Sequence, residues 1–241
     1  MMRRVGILGG MGPEATILVM QKILRAVRAE DDSDHVPLIV DQNTQVPSRI
    51  RHLVEGGGPD PAPVLADMAR RLVAGGAQAL AMPCNTAHYY APAIRAAVAV
   101  PFLDMTELAC DRARVLVGAG GRVGILASPA VRKVGLFDVR LIARGLTPIY
   151  ADHEPALLAA IRRIKAAGPN EAARETLRAA SARLVAKDCN VQMIACTEFS
   201  LIADAVADGA IPFDTLDCLV QAIVAFAADD PTMASATTYG A

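Results

Sequence analysis

The apolar stretch Val5-Gly6-Ile7-Leu8-Gly9 recurs 118 positions later as Val123-Gly124-Ile125-Leu126-Ala127. Two further pairs of segments match in the same order, at offsets of 112 and 111 positions: Ala81-Met82-Pro83-Cys84-Asn85-Thr86 with Met193-Ile194-Ala195-Cys196-Thr197-Glu198, and Val100-Pro101-Phe102 with Ile211-Pro212-Phe213. Three matches at a nearly constant offset indicate an internal repeat, so we expect two similar halves.

Short apolar runs alternate with helical patterns in the first half. The predicted strands are residues 5–8, 38–40 and 77–82, and the predicted helices are residues 13–28, 63–74 and 91–98. Strands separated by helices are typical of α/β proteins with largely parallel sheets. We therefore predict two pseudo-symmetric α/β domains, each a short, mostly parallel sheet flanked by helices, with the functional site in the cleft between them.

The repeat also predicts how the chain is divided. Residues 1–103 plus 212–230 form the expected first α/β domain, and residues 104–211 form the second. A final helix around residues 216–228 has to pack back onto one of the halves. Residues 231–241 carry no periodicity and are predicted to be a loose C-terminal tail.

Composition excludes several classes of protein. The 241 residues are 53% hydrophobic, and 24 Lys and Arg against 25 Asp and Glu give a net charge of −1. Without a basic excess, and with only 4% aromatic residues, the chain is not expected to bind nucleic acid. No apolar run is long enough to predict a membrane span. Five cysteines, an odd number without tight spacing, do not form a disulfide framework, so we expect a cytoplasmic protein.

Cys84 and Cys196 each follow a buried strand, which places them at the carboxyl edges of the two sheets, where α/β proteins bind ligands. Two thiols on opposite sides of a small ligand suit one reaction, the removal of a proton from one face of a carbon and its return to the other face. One sulfur would start as thiolate, favoured by the helix N-terminus that follows it and by the Thr86 and Thr197 hydroxyls. The other interpretation is that both thiols are inert core residues.

The remaining cysteines are interpreted differently. Cys110 and Cys218 lie in apolar helical patterns, and Cys189 lies in a loop after Lys187-Asp188. Free cysteine is among the most buried residue types, so these three are predicted to fill the core.

Three motifs carry a resemblance to a known family: Gly9-Gly10-Met11-Gly12-Pro13-Glu14-Ala15-Thr16, Pro83-Cys84-Asn85-Thr86-Ala87-His88 and Cys196-Thr197-Glu198. Together they resemble the aspartate racemase family, within the wider aspartate/glutamate/hydantoin racemase group. The resemblance implies a cofactor-independent amino-acid racemase, usually a homodimer, with Cys84 and Cys196 as paired catalytic bases. It also implies that Arg49, in Pro47-Ser48-Arg49, binds a substrate carboxylate, and it places the family's lysine at Lys165.

Physical reasoning gives those residues compatible roles. Aspartate has two carboxylates, and a site without metal has to neutralise them with cations such as Arg49 and Lys165. Without the resemblance, Lys165 would be interpreted as a solvent-exposed residue on a helix surface.

Further substrate-binding residues are expected beside the two cysteines. Asn85, Thr86 and Thr197 are expected to hydrogen-bond the α-carboxylate, and Met11 to form a wall of the cleft.

The functions of His88 and Glu198 stay open. His88, four residues after Cys84, either polarises the thiol or is a satisfied histidine at a helix start. Glu198 either binds the substrate ammonium group or caps the following helix.

The sequence departs from the family's pattern in two places. Ala195 replaces a glycine before the second cysteine, and Ser128-Pro129-Ala130-Val131 replaces a threonine-rich turn. These departures leave the substrate open, so glutamate or another polar amino acid is an alternative to aspartate.

Other functions were weighed against the racemase. Gly10-x-Gly12-x-x-Ala15 matches a dinucleotide fingerprint, but Glu14 would repel a pyrophosphate. A cysteine hydrolase with Cys84 as nucleophile and His88 as base leaves Cys196 unexplained. A two-lobed amino-acid-binding protein without catalysis is the third alternative. The four histidines are scattered, so no metal site is predicted.

Overall fold

The computed structural model describes residues 2–229, and within that range the chain forms eight strands, ten α-helices and four short 3-10 or π-helical segments. The strands are β1 Val5–Gly9, β2 Leu38–Gln42, β3 Ala79–Ala81, β4 Phe102–Leu103, β5 Arg122–Ala127, β6 Thr147–Tyr150, β7 Val191–Ala195 and β8 Ile211–Asp214. The helices are α1 Pro13–Ala26, α2 Ala62–Ala74, α3 Ala91–Ala97, α4 Met105–Val117, α5 Pro129–Lys133, α6 Asp138–Ala143, α7 Glu154–Ala167, α8 Glu171–Val185, α9 Thr197–Ser200 and α10 Thr215–Ala228.

The strands form two four-stranded sheets with equivalent order, β2-β1-β3-β4 and β6-β5-β7-β8, and every pairing is parallel. The central strands β1 and β5 are the two copies of the repeated apolar stretch. Their side chains are buried on both faces because helices cover both sides of each sheet. The predicted α/β class, with two pseudo-symmetric halves and parallel sheets, is confirmed.

Each half ends in a helix that packs on the sheet of the other half. Leu216, Leu219 and Ile223 of α10 join the core around Val5 and Ile7 of the first sheet. In α4, the buried residues Ala109, Cys110 and Ala113 join the core around Val123 and Ile125 of the second sheet. The helices α4 and α10 also contact each other, so this exchange ties the two halves together.

The predicted elements differ from the observed ones mainly at their ends. The first helix ends at Ala26 instead of residue 28, and β3 covers only Ala79–Ala81 of the predicted 77–82. The predicted domain boundary at residue 212 falls inside β8, whose four residues all pair with β7 in the second sheet. The assignment of residues to two domains otherwise stays a prediction, and the predicted tail at 231–241 lies outside the described residues. Within residues 2–229, no helix is long and apolar enough to cross a membrane.

Candidate active site

Cys84 and Cys196 line the same cavity between the two halves. Cys84 lies three residues beyond the end of β3, and Cys196 follows β7 directly, so both occupy the carboxyl edge of their sheet. Each is 6% exposed, and both contribute to the lining of an inner cavity of about 40 Å³. The repeat predicts this convergence, because equivalent strands bring their carboxyl ends to one cleft.

A larger outer cavity of about 320 Å³ adjoins the inner one. The two cavities share four lining residues, Ser48, Arg49, Lys165 and Glu198. The outer cavity also has an acidic residue, Glu14, and apolar residues such as Val46 and Leu201 in its lining. A small ligand therefore reaches the cysteines past one arginine, one lysine and one glutamate.

Glu198 connects the second cysteine to the lysine. The Cys196 Sγ donates to Glu198 Oε2 at 3.0 Å, and Lys165 Nζ lies 3.2 Å from Glu198 Oε1. Glu198 is 7% exposed, whereas the Lys165 side chain keeps 40% of its surface in solvent. The carboxylate therefore lies between a thiol and an ammonium group, and its side chain does not cap α9, while its role toward a substrate ammonium group stays a prediction.

The protonation preferences of these groups follow from their surroundings. Burial raises the pKa of Cys196 well above its ordinary value, and the Glu198 carboxylate adds to this, while Lys165 and the Glu198 backbone N–H act in the opposite direction. For Lys165, burial opposes the charge, but Glu198 and the two cysteines outweigh burial and raise the pKa. The expectation that a helix N-terminus favours the thiolate is wrong for Cys196, because burial and a neighbouring carboxylate dominate over the four-residue α9.

Arg49 lies at the start of a short helical segment that follows the loop after β2, and it lines both cavities. Its Nη1 donates to the backbone carbonyls of Val46 at 3.3 Å and Pro47 at 3.0 Å, so the guanidinium is held by its own loop. Because these bonds use only one of the guanidinium nitrogens, donors are left for a carboxylate.

The hydroxyl and amide residues predicted to bind substrate occupy different places. The Thr86 hydroxyl lies in the inner cavity, 3.1 Å from the Ser128 Oγ of the second half. Asn85 is buried outside the lining of both cavities, and its Nδ2 donates to Thr215 Oγ1 at 2.9 Å. Thr197 is buried at the start of α9 and also lies outside both linings. Met11 lines the inner cavity, as the sequence predicts.

His88 is a structural residue. Its Nδ1 donates to the Cys84 carbonyl at 2.8 Å, and its Nε2 accepts from the Met105 N–H at 3.2 Å. Burial lowers the pKa of the imidazole, although the Asp104 carboxylate acts in the opposite direction, so the neutral Nδ1–H form fits both bonds. Because both ring nitrogens are hydrogen-bonded to the backbone, His88 is not placed to activate the Cys84 thiol. It therefore cannot serve as the general base that the cysteine-hydrolase alternative requires.

The loop between β1 and α1 approaches the site closely because it is rich in glycine. Gly10 has φ 88°, and a Cβ there would lie 2.4 Å from the backbone of Asn43, so no larger residue fits. At Gly12, a Cβ would lie 3.5 Å from Glu198 Oε1. Gly10 therefore lets this loop pack against Asn43 of the same half, whereas the contact near Gly12 and Glu198 has an ordinary van der Waals distance.

Sequence reasoning missed several lining residues. Ser128 was read only as the loss of a threonine-rich turn, yet its hydroxyl lies in the inner cavity beside Thr86. Its position directly after β5, equivalent to Gly10 after β1, is the signal that predicts this placement. Ser48, Ile50 and Ile161 also line the cavity, and Ile161 lies one helical turn before Lys165 on the same helix.

The fold and the cleft define a class of proteins with two equivalent parallel α/β halves and one cysteine at the edge of each sheet. A sequence model of the Asp/Glu/Hydantoin racemase family matches residues 8–223, and the chain belongs to this family. It is thus an isomerase of the amino-acid racemase type.

Related proteins agree with this membership. The chain is 24% identical over 228 residues to the broad specificity amino-acid racemase RacX of Bacillus subtilis, covering 91% of this chain and 96% of that protein. The structure of Picrophilus torridus aspartate racemase matches with a TM-score of 0.83 and 24% identity, over 94% of both chains. Glutamate racemase from Francisella tularensis, solved with D-glutamate, matches with a TM-score of 0.66 and 12% identity, over 98% of this chain and 84% of that one. At these identities, the two structural matches establish the fold.

Proposed function

We propose that this chain racemises aspartate by moving the Cα proton between Cys84 and Cys196, without a cofactor. The observation that carries the proposal is that one cavity, formed by both halves, contains both sulfurs together with Arg49 and Lys165. Two sulfurs from opposite sheets supply the two bases, and two cations match the two carboxylates of the substrate.

The proposed reaction balances without any added redox partner. A thiolate on one side takes the proton from Cα, and the electron pair of the C–H bond moves toward the α-carboxylate. The thiol on the other side then gives its proton to the opposite face of Cα, which leaves the two sulfurs with exchanged protonation states. Because the developing charge lies on the carboxylate oxygens, donors held in place around them stabilise the transition state.

The substrate-binding assignments follow from position in the cleft. Arg49 is proposed to bind one carboxylate as a bidentate pair, and Lys165 the other as a point charge. Thr86 is proposed to donate its hydroxyl to the α-carboxylate, with Met11 as the neighbouring apolar wall. Asn85 and Thr197 are proposed to support this carboxylate site from the buried layer behind the cysteines.

The outer cavity gives the main alternative for the substrate. Its volume of about 320 Å³, with Glu14 beyond Arg49, leaves room for side chains longer than that of aspartate. Glutamate or another polar amino acid is therefore the second candidate, and the broad specificity of the Bacillus subtilis relative favours testing a range of amino acids.

Proton NMR in heavy water tests the reaction and the substrate together. The purified protein is incubated with L-aspartate, and separately with L-glutamate, in the presence of a chelator and a thiol reductant. We expect the Cα–H signal of aspartate to disappear while its optical rotation falls to zero. An unchanged signal with both amino acids, despite saturable binding measured by calorimetry, would instead support a non-catalytic amino-acid-binding protein.

We also propose that the protein is a homodimer and that it is located in the cytoplasm. The resemblance supports the dimer, and five buried free cysteines support a reducing compartment. Light scattering on the purified protein tests the oligomeric state, and fractionation of the source cells tests the compartment.

A further inference from the structure

The internal repeat places different residues at one equivalent position beside the two cysteines. Thr86 lies two residues after Cys84, and Glu198 lies two residues after Cys196. The Thr86 hydroxyl pairs with the Ser128 hydroxyl across the cleft, 3.1 Å away. The Glu198 carboxylate instead accepts the hydrogen of the Cys196 thiol at 3.0 Å. The two sulfurs, equivalent by fold, therefore lie in chemically different surroundings.

The contacts of Glu198 hold its carboxylate in this arrangement. Its second oxygen lies 3.2 Å from the Lys165 ammonium group on α7, and the side chain is buried between α7, α9 and the β1–α1 loop. A carboxylate with a cation on one oxygen has the other oxygen available as an acceptor, and a thiol is the donor that reaches it. A thiolate at Cys196 would lose this bond and lie beside a like charge.

We infer that Glu198 is a positioning residue that keeps the hydrogen on Cys196, so that in the resting enzyme Cys84 takes the first proton and Cys196 donates one. This inference rests on the proposed two-cysteine reaction and assigns a direction to it. The resting enzyme can react with one enantiomer directly. It can react with the other enantiomer only after a proton has moved from Cys196 to Cys84.

The proton balance follows from this arrangement. In the resting enzyme Cys196 is a thiol, hydrogen-bonded to Glu198, and the form that reacts first has its thiolate at Cys84. Abstraction at Cα makes Cys84 a thiol, and donation to the opposite face leaves Cys196 as thiolate beside the Glu198 carboxylate. Return to the resting form moves a proton from Cys84 to Cys196, by solvent exchange or by turnover of the product enantiomer.

The charged groups around Cys196 come from several elements. Glu198 on α9 opposes the thiolate, whereas Lys165 on α7 favours it. Arg49 and Cys84 reach the same cavity from the first half. Burial, the largest effect, raises the pKa of Cys196 in the same direction as Glu198 does. Because Lys165 already forms an ion pair with Glu198, its positive charge stabilises a Cys196 thiolate less than an unpaired ammonium group would.

Carbon-13 NMR of protein labelled at the cysteine Cβ tests the inference without measuring activity. The Cβ shift reports thiol against thiolate for each cysteine, and single serine substitutions assign the signals of Cys84 and Cys196. In the wild-type protein, we expect Cys196 to keep its thiol signal through neutral pH. In the Glu198→Gln variant, we expect the pKa of Cys196 to fall, because the neighbouring negative charge is gone.

A matched control removes a carboxylate at the cavity mouth. Glu14→Gln eliminates the same charge from the outer cavity, and it should leave the Cys196 titration within a few tenths of a unit of wild type. A thiolate signal for Cys196 at neutral pH in the wild-type protein overturns the inference even if Glu198→Gln does not fold. An unchanged Cys196 titration in folded Glu198→Gln overturns it too. Failure of the proposed racemisation would appear separately, as retained Cα–H signals in the heavy-water experiment.

Discussion

Asp104 and Asp214 occupy equivalent positions in the two halves, yet their carboxyl groups are held in opposite ways. Asp104 follows β4 directly and Asp214 is the last residue of β8, and the side chain of each accepts backbone N–H bonds at the start of the next helix, α4 or α10. Burial opposes ionisation of Asp104, but hydrogen bonds from Thr106, Arg95 and the Glu107 N–H overcome it and lower the pKa. Asp214 is buried near Asp217, it accepts hydrogen bonds from the Ser200 hydroxyl and the Leu216 N–H, and burial raises its pKa to about 7.

The raised pKa of Asp214 predicts a pH-dependent loss of stability. Its folded pKa of about 7 lies above the unfolded value of about 3.9, so its contribution is fully present below about pH 4 and is lost as the pH rises through about 7. Relative to Asp214→Asn, which keeps a helix cap, the wild-type free energy of unfolding should fall by up to about 4 kcal/mol across that window. Urea unfolding at several pH values measures the difference.

Asp104 provides the opposite control. Its folded pKa of about 2 lies below the unfolded value, so its contribution is present above about pH 4 and is lost as the pH falls toward 2. A wild-type advantage over Asp214→Asn that stays constant between about pH 4 and about pH 7 would contradict the account of Asp214.

The bond between Asn85 and Thr215 predicts a stability coupling between the halves. Asn85 Nδ2 donates to Thr215 Oγ1, which donates in turn to the Ile194 carbonyl at 3.1 Å, so the three residues link the Cys84 loop to β7. Asn85→Ala should lower the free energy of unfolding by about 1–3 kcal/mol, because a buried partner is left unpaired. A double-mutant cycle with Thr215→Val measures the coupling, and purely additive effects would show that the bond contributes nothing.

Lys165→Met should weaken catalysis more than any other loss of charge on α7. Removing the ammonium group leaves Glu198 without its cation and the substrate without one partner, so kcat/KM for aspartate should fall by about 10- to 100-fold. Arg163→Met is the matched control, since Arg163 lies on the same helix but is exposed and lines neither cavity. Steady-state kinetics on both variants measure this difference. Equal losses of kcat/KM in the two variants would contradict the proposal that Lys165 acts in the active site.

The repeat was sufficient to predict the architecture because it reports which strands are equivalent. Matching segments around Cys84 and Cys196 predicted two parallel sheets whose edges share a cleft, and both cysteines line one cavity. The domain division expected from the repeat already groups α4 with the second half and α10 with the first, whereas periodicity alone identifies an apolar helix face and not the sheet that this face covers.

Side-chain partners were less predictable than positions. The contact between Cys196 and Glu198 depends on the rotamers of two neighbours, and the approach of Lys165 depends on the packing of α7 against α9. The sequence gives Lys165 the pattern of a surface residue, since it follows Arg162-Arg163, and its side chain is in fact partly exposed. Only the three-dimensional cleft distinguishes it from its neighbours.

Racemisation by single-cysteine variants tests the two-base proposal most directly. Cys84→Ser and Cys196→Ser are assayed with each aspartate enantiomer in heavy water, with Cys110→Ala as a control for a buried cysteine outside the cleft. The account predicts that each variant in the cleft loses racemisation by at least about 100-fold, because general acid–base catalysis by either sulfur is worth that much. It also predicts that Cys110→Ala still racemises. Wild-type racemisation by either Cys84→Ser or Cys196→Ser would contradict the two-cysteine reaction.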